Sequence, residues 1–235
     1  MALSLPPGLT HAEVAFLAEM ELVTVVPRQR LESINLLGGK TPPLRPPHRA
    51  DLPLWLALLL KKQRRANIIP PPWLHPSSLA EIIHHETKVS PESFSDPPPP
   101  PSKADPSNPG SITRSSTSHL PSPPFLPSCT ASAPAGYLPY HWQELAEALL
   151  AHAGDDVAAA LGGGGGAGSG EVRGLLRDLA EVRAAKMRSS TADPDGFGGG
   201  LMSLRGVGAM ELAESRGFVL GVVDGVRRIG ASVEA

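Results

Sequence analysis

Chemistry in this sequence would have to come from a glycine-rich run, two adjacent histidines, one basic cluster or a single cysteine. Gly163 to Gly168 satisfies G-x-G-x-x-G and runs into a helical pattern, the spacing by which backbone N–H groups cradle a pyrophosphate. The context is wrong for that use: Val157 to Leu161 before it is Ala-rich and helical rather than a strand, and no Lys-Ser or Lys-Thr follows. The run reads as a flexible linker. His84 and His85 are neighbours, so on a helix they point about 100° apart and cannot clamp one ion. His85-Glu86 opens H-E-x-x-H, but position 89 is Val, which leaves the zinc motif incomplete. Cys129 stands alone in Ser/Pro-rich sequence, so neither a disulfide framework nor a thiolate metal site is expected and a reducing compartment fits best. There is no serine elbow and no pair of carboxylates in an apolar setting. The reading is therefore no enzyme, no cofactor and no metal.

Lys61, Lys62, Arg64 and Arg65 would suit phosphate contacts or a nuclear-import signal, and equally a solvated helix end where positive charge complements the helix dipole. A formal net charge of -2 argues against a protein whose main task is coating nucleic acid, so contact with DNA is expected to be indirect or weak. Pro97 to Pro101 and the later Ser122–Ser128 segment, SPPFLPS, would dock an SH3-like domain if held as polyproline. That supports an alternative reading as a Pro-rich helical adaptor, beside the simpler one of a disordered insert.

These residues sit in a chain of 235 with 24 Gly and 27 Pro, so part of it cannot be core and the foldable length is roughly 180 residues. The longest apolar run, Leu52 to Leu60, is shorter than the about 20 residues a membrane helix needs, and no basic leader precedes it. A protein that is soluble, intracellular and without a membrane is expected. Ala12 to Glu19 predicts a short helix. Leu22 to Pro27 alternates as a strand, and Ser33 to Leu37 is a second strand candidate. Asp51 is placed as the N-cap of a helix apolar on every face from Leu54 to Leu60, which must be covered all round. Ser78 and Glu81 form a capping box for a helix to about Lys88. Trp142, Leu145, Ala146, Leu149 and Leu150 make an apolar stripe, with Glu144 and Glu147 facing outward. Glu171 to Arg188 carries a seam of Val172, Leu175, Leu179 and Val182 closed by Arg183, Lys186 and Arg188, and a last helix spans about Val207 to Ile229. Gly217, Gly221 and Gly225 lie in it as a small-residue stripe suited to close helix packing, or as compositional drift.

The fold expected is mainly α: a small β-containing domain at 1–50, a first helical part at 51–90, a disordered Pro/Ser-rich insert at 91–137, and a second helical part at 138–235 with a Gly-rich linker at 162–170. Trp55, Leu58, Trp73, Trp142, Leu145, Leu179 and Gly221 are the structural or interface candidates, and Trp55, Leu58, Trp142 and Leu145 are expected to hold the helical core.

Four stretches in order, FLAEMELVTVVP (Phe16–Pro27), LPLWLALLLKKQRRANIIPPPWL (Leu52–Leu74), LPYHWQELAEALLAHAGDD (Leu138–Asp156) and EVRGLLRDLAEVRAAKMR (Glu171–Arg188), resemble subunit two of the eukaryotic GINS replication complex. A weaker fifth is GVGAMELAESR (Gly206–Arg216). The resemblance implies a nuclear, non-catalytic scaffold in a heterotetramer with three other GINS subunits. It also implies attachment to the minichromosome-maintenance ring and the cell-division-cycle forty-five protein in the replicative helicase. Two departures from the family pattern stand out: the Gly run replaces a short connection, and some forty residues, roughly, intervene between SFSD and LPYHW. The intervening stretch is either a disordered, lineage-specific loop or a retained intron.

Overall fold

The structure is a computed structural model describing residues 9–37, 39–99, 103–104, 112–113, 127–161, 167–190 and 205–233. Thr10 opens it with a capping box: its hydroxyl accepts the Glu13 N–H at 3.4 Å and its own N–H donates to the Glu13 carboxylate at 2.7 Å, which satisfies two orphan donors of helix α1 (His11–Ala18). Strand β1 (Leu22–Pro27) follows, then a two-residue hairpin, β2 (Asn35–Leu36) and β3 (Gly39–Lys40), which trims the expected Ser33–Leu37 strand. Next come β4 (Ala50–Pro53), α2 (Leu54–Lys62) and β5 (Ala66–Ile68).

β1 is the central strand of an antiparallel sheet ordered β4–β1–β5, with Thr24 opposite Asp51 and Val25 opposite Ile68. The sheet therefore needs strands from beyond residue 50, and the sheet unit reaches Ile68 with α2 held inside it. This corrects the expected boundary at 50. Asp51 is likewise not a helix cap: it lies in β4, where its carboxylate accepts the Thr24 hydroxyl at 2.6 Å. The first N–H groups of α2 are taken instead by backbone carbonyls, Leu54 N–H by Glu21 at 2.8 Å and Trp55 N–H by Glu19 at 3.1 Å, so no side-chain cap is required. Leu54, Leu56, Ala57 and Leu60 are buried, whereas Leu59 is 44% exposed. The cover over the apolar helix is incomplete.

A 3-10 turn (Pro72–Leu74) leads to α3 (Pro76–His84) and a single π-helical turn (His85–Val89). The Ser78–Glu81 capping box is not formed. The helix starts two residues earlier, where Pro76 suits the first position and the His75 ring accepts the Ser77 N–H at 3.3 Å. Two short paired strands, β6 (Lys103–Ala104) and β7 (Ile112–Thr113), are described within the expected insert. Most of the Pro-rich sequence from Pro97 to Ser128 lies outside the described residues.

The flanks of that insert are packed, which narrows the expected 91–137 segment. Ser95, Ser128, Cys129, Thr130 and Ala133 are buried. Ala131 N–H donates to the Thr24 hydroxyl at 2.9 Å, and Thr24 points to the face of β1 opposite Val23 and Val25. Residues 127–137 thus cover the second face of the sheet, which is why Val23, Thr24 and Val25 are all buried instead of alternating.

The second half is α4 (Trp142–His152), α5 (Gly154–Ala160), α6 (Ala167–Ser190) and α7 (Ala209–Val233). α6 takes Gly168 and Gly170 into its first turn, so the linker expected at 162–170 is shorter by its last four residues, and 162–166 lie outside the described residues. The buried side chains form one continuous cluster, from Val23, Val25 and Leu52 in the sheet through Trp73, Leu79 and Trp142 to Val172 and Leu179 on α6. Leu175 packs against it partly buried. Sheet and bundle share a core.

Candidate interaction surfaces

Three polar ties hold the helices in place, and the first of them also fixes the bundle on the sheet. Lys61, at the end of α2, bonds Asp155 Oδ2 and Asp156 Oδ1, each at 2.7 Å, at the start of α5, and the Ile68 N–H of β5 donates to Asp156 Oδ2 at 2.8 Å. The Lys61 hydrogen bond holds the Asp155 carboxyl below its ordinary range. The dipole of α5 favours acids in that first turn. Arg173 of α6 reaches the Leu150 carbonyl of α4 at 3.1 Å.

The third tie is the densest. Glu86, in the π turn after α3, is sealed from solvent. Its Oε1 accepts from Arg183 Nη1 and from the Ser95 N–H at 3.1 Å, and its Oε2 faces Lys186 Nζ at 3.4 Å. Arg183, buried on α6, also donates to Glu211 on α7 and to the Gly206 carbonyl at 2.6 Å, and its guanidinium lies 4.8 Å from the Phe94 ring centroid. Lys186 holds the Ser90 and Ser93 carbonyls at 3.0 and 2.7 Å. Two carboxylates thus meet two cations, and three further bonds from the cations go to backbone carbonyls, which lowers the cost of burying the charge. Burial works against the Arg183 charge, but Glu211 and Glu86 raise its pKa overall, while burial lowers that of Lys186. Gly206 is required beside this cluster: its φ is +83° and a Cβ would stand 2.1 Å from the Ser95 carbonyl oxygen.

A second buried group lies where sheet and bundle meet. Glu21, just before β1, is enclosed near Cys129, His141 and Glu144, and burial raises its pKa to about 7. The Cys129 thiol is pushed up by the same burial and by Glu21. His141 Nδ1 contacts Glu144 Oε1 at 3.1 Å, and Glu144 is buried rather than outward-facing as its place on the helix suggested. Glu147 is exposed as expected.

Apolar surface remains uncovered on two helices. α1 exposes Phe16 and Leu17, with Met20 exposed just after it, and α7 beyond Arg216 exposes Phe218, Leu220 and Val223. A Cβ built at Gly217, Gly221 or Gly225 meets no atom within 4 Å. The glycine stripe therefore packs against nothing described in this chain.

Of the sequence candidates, Trp73, Trp142, Leu145 and Leu179 are fully buried and serve the core. Trp55 and Leu58 are only half-buried against it, because α2 has no cover on that side, which corrects their placement as central core residues. Gly221 is exposed. The basic cluster is divided: Lys61 is committed to Asp155 and Asp156, while Lys62, Arg64 and Arg65 are exposed. His84 and His85 are exposed, and among the described residues no group of acids, histidines and cysteine is arranged to hold a metal. Of the Gly163–Gly168 motif, residues 163–166 lie outside the described residues, and Ala167 and Gly168 open α6. Sequence reasoning missed Glu86 and Glu211 and read Arg183 and Lys186 only as a helix-end charge; an acid in a short polar turn facing a basic helix end far along the chain was the available signal.

These features define a mainly α protein in which a small antiparallel sheet unit and a helical bundle share one core. The sequence matches the PSF2 N-terminal domain over residues 10–69 and the GINS complex protein helical bundle domain over residues 73–230. It is 67% identical over 252 positions to the DNA replication complex GINS protein psf2 of Neurospora crassa, covering 100% of this chain and 89% of that one. The corresponding protein of Gibberella zeae is 67% identical over 234 positions (100% and 90% covered), and that of Homo sapiens 31% over 179 (76% and 69%). The chain belongs to the PSF2 family of GINS complex proteins, as the four stretches implied. No described helix is long and apolar enough to cross a membrane.

Proposed function

We propose that the chain is a non-catalytic scaffold subunit of a heterotetrameric GINS complex, acting in the nucleus, where it helps join the minichromosome-maintenance ring and the cell-division-cycle forty-five protein into the replicative DNA helicase. The observation that carries this reading is the apolar stretch of α7 that nothing described in this chain covers. A helix of 25 residues whose middle turns show Phe218, Leu220 and Val223 to solvent needs a partner to cover it, and the bare glycines beside them let a second helix approach closely. The family's complex supplies such partners. The tie at Lys61 fixes the sheet unit to the bundle and the cluster at Arg183 fixes α3, α6 and α7 to one another, the rigidity a scaffold requires.

Co-expression with the three other subunits tests this. A single equimolar complex on size-exclusion chromatography is expected, and Phe218→Glu/Val223→Glu should abolish it while leaving the far-UV circular dichroism of the isolated chain unchanged. A chain that stays monomeric beside the three partners overturns the reading. Attachment to the ring is tested by pull-down of the minichromosome-maintenance proteins with the assembled complex.

A further inference from the structure

Five exposed cations from two separate segments are brought to one end of the sheet. β1 and β5 pair with Pro27 opposite Ala66, and the pairing continues one residue further, with Arg28 N–H donating to the Arg65 carbonyl at 2.7 Å. Arg28 and Arg65 therefore face each other across the strands, an unfavourable like-charge placement. Arg28 Nε is steadied by the Asn67 side-chain oxygen at 2.9 Å. Arg30 follows two residues on, and Lys62 and Arg64 close the other side at the end of α2. All five are exposed, and among the described residues none of them makes an ion pair with a carboxylate. Lys61 next to them, by contrast, is fully used by Asp155 and Asp156.

Arg64 adds an independent sign. α2 ends with Arg64 N–H on the Lys61 carbonyl at 2.8 Å and Arg65 N–H on the Leu60 carbonyl at 2.9 Å, which puts Arg64 at φ +57°. That left-handed position is the one glycine fills without steric cost. An arginine there gives up backbone comfort and adds a cation to a patch that already repels itself. Local stability does not explain the choice; an anionic ligand does.

We propose that Arg28, Arg30, Lys62, Arg64 and Arg65 form a docking surface for a phosphodiester backbone, and that it reads charge and not sequence. Guanidinium groups favour phosphate oxygens through paired N–H donors. No aromatic side chain occurs in the patch segments Arg28–Arg30 and Lys62–Asn67, so the surface has no stacking platform for bases. Single and double strands present the same phosphodiester chemistry, and the experiment distinguishes them.

The test is fluorescence anisotropy on the full chain with labelled oligothymidine of about 30 nucleotides and a duplex of the same length, titrated across salt. Binding by the wild-type chain is expected to weaken linearly in log–log form. The Arg28→Gln/Lys62→Gln/Arg64→Gly/Arg65→Gln variant should lose at least about tenfold in affinity, with the slope falling by about 3. Arg64→Gly alone should reduce the slope by about 0.7 to 0.9 without lowering the melting temperature, which separates lost binding from lost folding. The strand form bound more tightly identifies the source. Unchanged affinity in the fourfold variant, an equal loss in Arg177→Glu on α6, or displacement by polyglutamate as effective per charge as by DNA each overturns the proposal, the last in favour of an acidic protein segment.

Discussion

Glu211 holds Arg183 with both carboxylate oxygens, Oε1 to Nε at 2.5 Å and Oε2 to Nη2 at 2.9 Å. The same Glu211 Oε2 accepts the Gly208 N–H at 2.6 Å, so one side chain caps the start of α7 and forks the guanidinium of α6. Gly208 has to be small there, because a Cβ would lie 2.9 Å from the indole nitrogen of Trp142. Through this fork the start of α7 is tied to α6, while α1 packs Val14 against Ala209, Met210 and Ala213 and His11 Nε2 meets Glu214 Oε1 at 3.2 Å; beyond Arg216, Phe218, Leu220 and Val223 are exposed.

Breaking the fork should therefore be costly. Arg183→Ala leaves Glu86 buried without its main partner and is expected to lower the unfolding free energy by about 3–5 kcal/mol, measured by urea titration. A loss under about 1 kcal/mol would mean that the network contributes little.

Glu21 makes stability depend on pH. Its pKa stands near 7 when folded against an ordinary 4.5, so between those values the folded state holds a proton that the unfolded state has released. The contribution is fully present below about 4.5 and is lost as pH rises through about 7. Glu21→Gln should raise stability at pH 8 by up to about 3 kcal/mol and flatten the melting temperature across that window. A parallel pH profile in the variant would refute the burial of this charge.

Two of the three indoles, Trp55 and Trp142, should respond differently. Trp142→Ala empties a site that is 1% exposed and is expected to cost about 3–5 kcal/mol. Trp55→Ala removes a half-buried ring and should cost about 1–2 kcal/mol in the isolated chain. Equal losses in chemical denaturation would contradict the open side of α2.

Removing residues 127–136 takes Cys129, Thr130 and Ala133 from the core and the Ala131 bond from Thr24. Such a chain should melt well below the full-length one. Unaltered melting would show the segment to be dispensable and would favour a retained intron, which sequencing the transcript checks independently.

Gly221 separates the needs of the chain from those of the assembly. With open space at its Cβ, Gly221→Ala should stabilise the isolated chain by about 1 kcal/mol, the helix-propensity difference. If a partner helix packs there, the same change weakens the tetramer. Subunit exchange followed by native mass spectrometry reads the second effect, and an unaffected complex would place the interface elsewhere.

How much of this was legible depended on whether a residue's role was local. The apolar stripe Trp142 to Leu150 and the seam through Val172 and Leu179 show their buried faces by spacing alone, and the structure buries them. Asp51 misled because strand and helix abut at Pro53: an acid ahead of an apolar run resembles a cap whether it caps or pairs. The sheet boundary was hidden for the same reason, since β5 is only three residues long and follows a basic helix end. Glu86 and Arg183 are 97 positions apart, and no periodicity relates residues at that separation. Glu144 looked exposed because its partner His141 lies in the turn before the helix. The basic patch was half visible: Lys62, Arg64 and Arg65 are contiguous, but only the β1–β5 register brings Arg28 beside them.

The roof over Thr24 also orders events in time. Its Ala131 partner is 107 residues downstream, so during synthesis the sheet is complete in its strands once Ile68 emerges yet keeps one face open until the chain has grown nearly twice as long. Glu86 then waits a further stretch for Arg183. Contacts of such sequence separation slow folding and prolong the exposure of apolar surface. A nascent chain stalled between β5 and residue 127 should thus be protease-sensitive and bound by chaperones, and it should become resistant only when α6 has left the ribosome.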